Sequence, residues 1–419
     1  MQRAFLVGFQ KPEDERETIM NQLDELAELV RNLDIIPLEP EIAKLRSTEQ
    51  SRYRIGSGKA EEIAQLAREC EADIMVFDAD LSPAQQRNWE RLFGGPVIGR
   101  EEIILDIFAS RAQTREATLQ VELARLEYSL PRLKRAWTHL SRQRGGGATN
   151  RGEGEAQLET DRRLLRRKIQ QLKDELLLVR RQRAAQRKAR IRRPVLQGAI
   201  VGYTNVGKSS LLHALTGADI LIKDQLFATL DPTARRISLG GNLEMVLTDT
   251  VGFVRKLPHQ LIEAFKSTLE EAVLADILLL VLDISSPDID MEWETTLSVL
   301  KELGADEKKI LVIFNKTDLI DEERDAVKLA RLRGLFPQAL YVSGMTGAGL
   351  DELRNKLADF AGGSRGLIKV LIPPERYDLI AFAHASGDIY EEEFTQEGNA
   401  SILLAIEDKH KHRFEEFLQ

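Results

Sequence analysis

Gly202-Tyr203-Thr204-Asn205-Val206-Gly207-Lys208-Ser209 stands between the apolar run Leu196 to Val201 and the stretch Leu211-Leu212-His213-Ala214-Leu215. The run predicts a strand and the stretch a helix, so the octet reads as the loop that joins them and fits Gly-x4-Gly-Lys-Ser. In that context the loop's backbone N–H groups and the positive end of the helix face phosphate oxygens. Lys208 is expected to reach the β and γ oxygens, and the Ser209 hydroxyl to hold Mg²⁺.

Downstream, Asp249-Thr250-Val251-Gly252 follows the apolar Met245-Val246-Leu247, which puts Asp249 at a strand end. A carboxylate there can hold the metal through water, and the N–H of Gly252 can meet the γ-phosphate. Asn315-Lys316-Thr317-Asp318 follows the strand-like Ile310-Leu311-Val312-Ile313-Phe314. Asp318 can accept two hydrogen bonds from the N1 and N2 donors of guanine, Asn315 can pair near O6 and N7, and the Lys316 stem can cover the ring. Adenine would leave the carboxylate unpaired, at a cost of roughly 1–3 kcal/mol. The three motifs in this order imply a P-loop domain of α/β class, doubly wound on a mostly parallel sheet, with GTP as substrate.

Between the first two motifs lies Phe227-Ala228-Thr229-Leu230-Asp231-Pro232-Thr233. Its threonine would bind Mg²⁺ only beside a γ-phosphate. Thr229 is the first choice and Thr233 the alternate. Ser343-Gly344-Met345, after the short strand Leu340-Tyr341-Val342, is placed over the guanine O6 through backbone N–H groups. Where many small G proteins carry a glutamine after Gly252, this chain has Phe253. A phenyl ring cannot orient a water, so slow intrinsic hydrolysis and an outside activator are expected. Asn205 sits where a potassium ion could stand in for an arginine finger; the alternative is that it only braces the loop. Lys208, Thr229, Gly252 and Asn205 are thus the candidate catalytic residues, and Ser209, Thr229 and Asp249 the metal ligands.

The 419 residues suffice for two to four domains with real cores. A single cysteine, Cys70, excludes a disulfide framework and fits a reducing cytoplasm. No signal segment opens the chain, and its longest strongly apolar run, Ile277 to Leu282, is too short to span a membrane. A soluble monomer is expected. Net charge is −8, yet residues 131 to 193 hold twenty Lys or Arg against six acids. That one-sided segment reads as a polyanion contact, the alternative being a solvated helix face.

Residues 1–112 alternate strand and helix as an α/β domain; Gly56-Ser57-Gly58-Lys59 lacks a second spaced glycine and reads as a helix-entry turn. Residues 113–193 form a basic antiparallel helical hairpin, because apolar or bulky positions 119, 123, 126, 130, 133, 137 and 140, and again 165, 169, 172, 176 and 179, step by four and three. Its tip, residues 145–154, has too many glycines to continue either helix, and Pro131 is expected to kink the first arm. Residues 194–362 make the G domain. Residues 363–419, after a Gly362-Gly363-Ser364 linker, make a small α+β domain ending in a charged helix.

Arg151-Gly152-Glu153-Gly154-Glu155, Gln157-Leu158-Glu159-Thr160-Asp161-Arg162-Arg163, the octet above, Asp224-Gln225-Leu226 running into Phe227 to Thr233, and Asp249 to Phe253 together resemble the HflX family of GTPases. Tyr53 to Lys59 and Leu81-Ser82-Pro83-Ala84-Gln85 are similar too. The resemblance implies a protein that binds the large ribosomal subunit and its RNA, reaches the peptidyl-transferase region with the hairpin loop, hydrolyses GTP on ribosomal stimulation, and splits stalled or idle ribosomes under stress. Pro131, and Gly344 where relatives carry alanine, are local departures. The alternative is a nucleotide-gated adaptor that binds a protein partner or tRNA, with incidental hydrolysis.

Overall fold

The strand Ile277–Asp283 reads Ile-Leu-Leu-Leu-Val-Leu-Asp, apolar on both faces, which suits a strand covered by helices on both sides of a parallel sheet. It lies at the middle of a six-stranded sheet in the computed structural model, which describes residues 1–45, 52–133, 151–190, 195–217, 226–227, 233–240, 243–255, 271–321, 323–363, 365–395 and 398–418. The chain divides into two units. One comprises Met1–Ala184, Lys223–Asp231 and Val254–Thr268; the other comprises Ala185–Ile222, Pro232–Phe253 and Leu269–Gln419.

In the first unit, β1 (Arg3–Gln10), β2 (Ile36–Pro37), β3 (Glu41–Lys44), β4 (Ile74–Phe77) and β5 (Val97–Gly99) form an all-parallel sheet. Its order is β2-β1-β4-β5, with β3 also beside β1. Helices α1 (Arg16–Arg31), α2 (Ser57–Glu69), α3 (Pro83–Phe93) and α4 (Arg100–Arg111) connect and cover it. Gly56 to Lys59 does open a helix. The core gathers Phe5, Val7, Phe77 and Trp89. Buried Arg100 is held by Asp78 at 2.8 Å and Glu25 at 2.6 Å, so its charge is paired at both ends.

The leucine seams meet as the spacing predicts. Leu119 and Leu123 of α5 (Arg115–Ser129) pack on Ile169, Leu172 and Leu176 of α6 (Arg151–Arg190), with Leu126, Leu130 and Val179 at the margin. Three expectations bear on this stretch. Pro131 lies within the 3-10 turn Leu130–Arg132 that follows α5, where its ring fits a first turn and its missing N–H is not needed; the course of the first arm beyond Leu133, and with it the expected kink, lies outside the described residues. Of the glycine-rich tip, Arg151 to Gly154 already belong to α6, because two glycines at about 1 kcal/mol each are offset once a long helix propagates through them. Residues 134–150, with the rest of the tip and seam positions 137 and 140, lie outside the described residues.

In the second unit the sheet order is β11-β10-β9-β6-β8-β7, where β6 is Leu196–Gly202, β7 Thr233–Gly240, β8 Leu243–Asp249, β9 Ile277–Asp283, β10 Lys309–Asn315 and β11 Leu340–Tyr341. All neighbours are parallel except β7 with β8. Among the described residues the flanking helices are α7 (Lys208–Thr216), α8 (Ile289–Glu302), α9 (Ala326–Leu335) and α10 (Leu350–Gly363). From β6 the chain winds to β8 on one side and to β9 on the other. That reversal opens a crevice at the carboxyl ends of β6 and β9, where ligands of open parallel sheets bind.

Helix α10 runs through Gly362 and Gly363, so the expected linker shrinks to the step into β12 (Arg365–Ile372). β12, β14 (Ala400–Glu407) and β13 (Asp388–Phe394) form an antiparallel sheet in that order, with a core of Val370, Ile402, Leu404 and Phe414 under α11 (Tyr377–Ser386). The charged end is only a four-residue helix, Asp408–Lys411, and a 3-10 turn; His412 falls beyond the helix.

Candidate functional site

Two glycines fix the phosphate loop. Gly202, at the end of β6, has φ +151, and a Cβ there would lie 2.2 Å from the Val281 carbonyl oxygen. Gly207, with φ +87, precedes α7, and its Cβ would lie 2.4 Å from Asn315 Nδ2. No other residue type fits either position without displacing backbone or Asn315. Asn205 is also left-handed, at φ 61, and exposed at the loop's tip.

Lys208 is buried and donates to the carbonyls of Gly202 at 3.2 Å and Tyr203 at 2.7 Å. Burial holds its ammonium down at about 8, although Asp249 and Glu292 act in the opposite direction. Ser209 Oγ donates to Asp249 Oδ2 at 2.6 Å, so the first two motifs meet as expected. Hydroxyl plus carboxylate is the hard oxygen set that magnesium takes, and the pair fits that ion. The buried Thr250 hydroxyl donates to the Ile200 carbonyl at 2.7 Å, which fixes the chain between Asp249 and Val251. Beyond it, Phe253 N–H donates to Gly202 O at 3.1 Å and Thr204 N–H to Phe253 O at 2.7 Å. A Cβ on Gly252 would stand 2.9 Å from Lys208 Nζ, so this glycine lies directly over the lysine.

The residues expected to read the base converge equally closely. Buried Asn315 donates from Nδ2 to the Val206 carbonyl at 2.8 Å and accepts at Oδ1 from Gly344 N–H at 2.9 Å, so one side chain ties the phosphate loop to the third loop. Thr317 N–H donates to Val342 O at 3.2 Å. Ser343 Oγ donates to Asp318 Oδ1 at 2.5 Å and accepts from Met345 N–H at 3.3 Å and Thr346 N–H at 3.0 Å. Met345 itself is exposed. A Cβ on Gly344 would come to 3.2 Å from Leu211 N, so alanine there would press on α7.

Phe227, left-handed at φ 56, is buried and meets Phe108 edge-on at 4.6 Å within the first unit. Ala228, Thr229, Leu230 and Asp231 lie outside the described residues, whereas the alternate Thr233 opens the edge strand β7.

Geometry of this kind brings the three motifs to one site, and comparison with known proteins identifies the family. Residues 20–109 match the family model "GTP-binding GTPase N-terminal", residues 111–190 "GTP-binding GTPase Middle Region", and residues 197–316 "50S ribosome-binding GTPase". A GTPase HflX from Akkermansia muciniphila is 49% identical over 97% of this chain and 94% of its own length. The chain belongs to the HflX family of GTPases. Another member, from Escherichia coli, is 42% identical over 92% of this chain and 90% of its own. A solved GTP-binding protein from Sulfolobus solfataricus in complex with GDP is 27% identical, covering 86% of this chain and 99% of its own, with a TM-score of 0.43. As an HflX-family GTPase, the chain takes GTP as its substrate.

Residues that motif reading passed over also shape the site. Asp283, at the end of β9, receives the Lys316 ammonium at 2.7 Å. Glu292 on α8 accepts from Ser286 Oγ at 2.6 Å, and burial pushes its carboxyl up to about 7. Asp283 carried a readable signal, a carboxylate closing an apolar strand beside the base-reading strand. Glu292 carried none, since acids on helices are ordinary.

Proposed function

We propose that this chain is a GTPase of low intrinsic rate that the large ribosomal subunit activates, and that its GTP and GDP forms grip ribosomal RNA differently so as to part stalled or idle ribosomes. The observation that carries this reading is Phe253. It is buried, its backbone N–H and C=O are both engaged by the phosphate loop, and its ring cannot hold the attacking water. Transition-state charge must then be met by a group supplied from outside. The basic middle of the chain suggests where that group comes from: Arg163, Arg166, Arg167, Lys168, Lys173 and Arg181 are exposed on α6, a polyanion-facing array.

In this reading, residues 1–112 are the N-terminal domain, 113–193 the RNA-facing hairpin, 194–362 the G domain and 363–419 an appendage. Gly202 to Ser209 cradle the phosphates, with Lys208 on the β and γ oxygens and the Gly252 N–H on the γ-phosphate. Phe227 to Asp231 and Asp249 to Gly252 are the nucleotide-sensing segments. Asn315, Lys316, Thr317 and Asp318 read guanine under Ser343, Gly344 and Met345. Ser209, Asp249 and Thr229 would hold Mg²⁺, which when bound supplies charge neutralisation between β- and γ-oxygens. Asn205 would hold a potassium ion. Among the described residues no helix is long and apolar enough to cross a membrane; we place the protein in the cytoplasm, acting as a monomer.

Multiple-turnover GTP hydrolysis with and without purified large subunits, in potassium and in sodium, tests this. Stimulation by at least about a hundredfold is expected, with removal of residues 145–154 sparing the basal rate and abolishing the stimulation. Equal rates with and without subunits would overturn the reading, and binding to a protein that survives ribonuclease would favour an adaptor. Equal rates in sodium would remove potassium from it.

A further inference from the structure

We infer that Asp283 is a positioning residue for guanine: it pins the Lys316 ammonium so that the lysine stem stands ready as the cover of the base. The inference rests on the guanine site proposed above and adds to it a residue outside all three motifs.

Strands β9 and β10 are parallel neighbours, and Asn315 stands opposite Asp283 where both end. The next residue, Lys316, is left-handed with φ 64 and ψ 37. A side-chain-bearing residue persists in that region only where its surroundings over-determine it. Two contacts supply the determination. Ile284 N–H donates to the Asn315 carbonyl at 3.0 Å, joining the two strand ends, and Lys316 Nζ meets Asp283 Oδ2 at 2.7 Å.

Asp283 is itself held. Its Oδ1 accepts from Ser285 N–H at 2.9 Å and from Ser285 Oγ at 2.6 Å, and its carbonyl accepts from Ser286 N–H at 3.1 Å. One carboxylate oxygen is thus fixed by the turn and the other serves the lysine. An exposed lysine–carboxylate pair contributes little, but here the side chains are only 27% and 14% exposed. A free lysine stem would have to be ordered when the base arrives, at a cost in rotamer entropy. Pinned by Asp283, it is ordered before the base arrives, which is preorganisation.

Because the stem touches the ring's face and no base edge, its loss should weaken all purine nucleotides alike. GTP and GDP should weaken together, raising KM and leaving kcat unchanged. Asp318 acts on the edge and should behave oppositely, changing the ratio between bases.

The test is a double-mutant cycle on the full chain, read by the affinities of fluorescent GDP and of IDP. Asp283→Asn is expected to weaken both by about tenfold and to leave their ratio unchanged. Lys316→Met keeps a stem and loses the ammonium, so adding Asp283→Asn to it should cost nothing more. Additive losses, or a changed GDP-to-IDP ratio, would overturn the inference. Should Asp283→Asn lower the melting temperature, Ser285→Ala takes its place, with a loss of about threefold expected and unchanged GDP affinity contradicting it. Asp318→Asn is run alongside: if it keeps guanine over xanthine, the base-site reading fails, whereas a switch to xanthine with an additive cycle sinks only the role of Asp283.

Discussion

The two ends of the candidate nucleotide site are built on different physics. At the base end the polar atoms named above are engaged: Asn315 bridges two loops, Asp318 is held by Ser343, and Lys316 is held by Asp283. At the phosphate end the central charge is stressed. Lys208 is buried against carbonyl dipoles, and desolvation outweighs Asp249 and Glu292 to hold it near about 8. The base end is therefore preformed and, in the proposed reading, sets selectivity, while the phosphate end gains most when an anion arrives. Selectivity and affinity are accordingly separable by mutation.

The largest effect expected of that separation is at Lys208. Lys208→Ala should cost nucleotide binding on the order of 4 kcal/mol, or about a thousandfold, while the nucleotide-free chain melts no lower, because a desolvated charge has been removed. A fall in melting temperature matching the loss of affinity would show that Lys208 holds the fold instead. Next comes Asp318→Asn, which should move preference from guanine to xanthine by roughly 1–3 kcal/mol at almost constant phosphate affinity; competition between GDP and XDP measures it, and a uniform loss for both would erase the contrast between the ends.

The last effect touches stability alone and lies beneath the base end. Glu292 has its carboxyl raised from 4.5 to about 7 by burial, against the Ser286 hydrogen bond. The folded chain then holds a proton that the unfolded chain has released, so this contribution to stability is full below the ordinary carboxyl range and is lost as pH rises through about 7. Glu292→Gln should flatten that fall and stabilise the chain at alkaline pH by roughly 1–3 kcal/mol. Denaturant midpoints across pH decide it; parallel curves for the two proteins would mean that Glu292 is charged in the native state.

What could be read in advance followed from short-range rules. The octet at 202–209, the strand ends at Asp249 and Asn315 and the apolar steps at 119, 123, 169, 172 and 176 are set by local spacing, and the fold keeps them. The misses arose where distant partners decide. β2 and β3 are two and four residues long and exist only because β1 offers a parallel edge. Helix α4 carries apolar residues around most of its surface, with Ile103, Ile104, Leu105, Ile107 and Phe108 all buried, so no amphipathic stripe announced it. Asp283 was visible as a residue, but its meaning depends on a register between two strands more than thirty residues apart. Helix entry at Arg151 was hidden by two glycines that local propensity alone disfavours.

Calorimetric titration of GDP and ADP into the nucleotide-free full-length chain tests the central claim most directly. GDP should bind with one-to-one stoichiometry and ADP at least about a hundredfold more weakly, as a site whose Asp318 carboxylate finds no matching donor pair on adenine requires. Equal affinity for the two nucleotides, or no heat with GDP, would contradict the account.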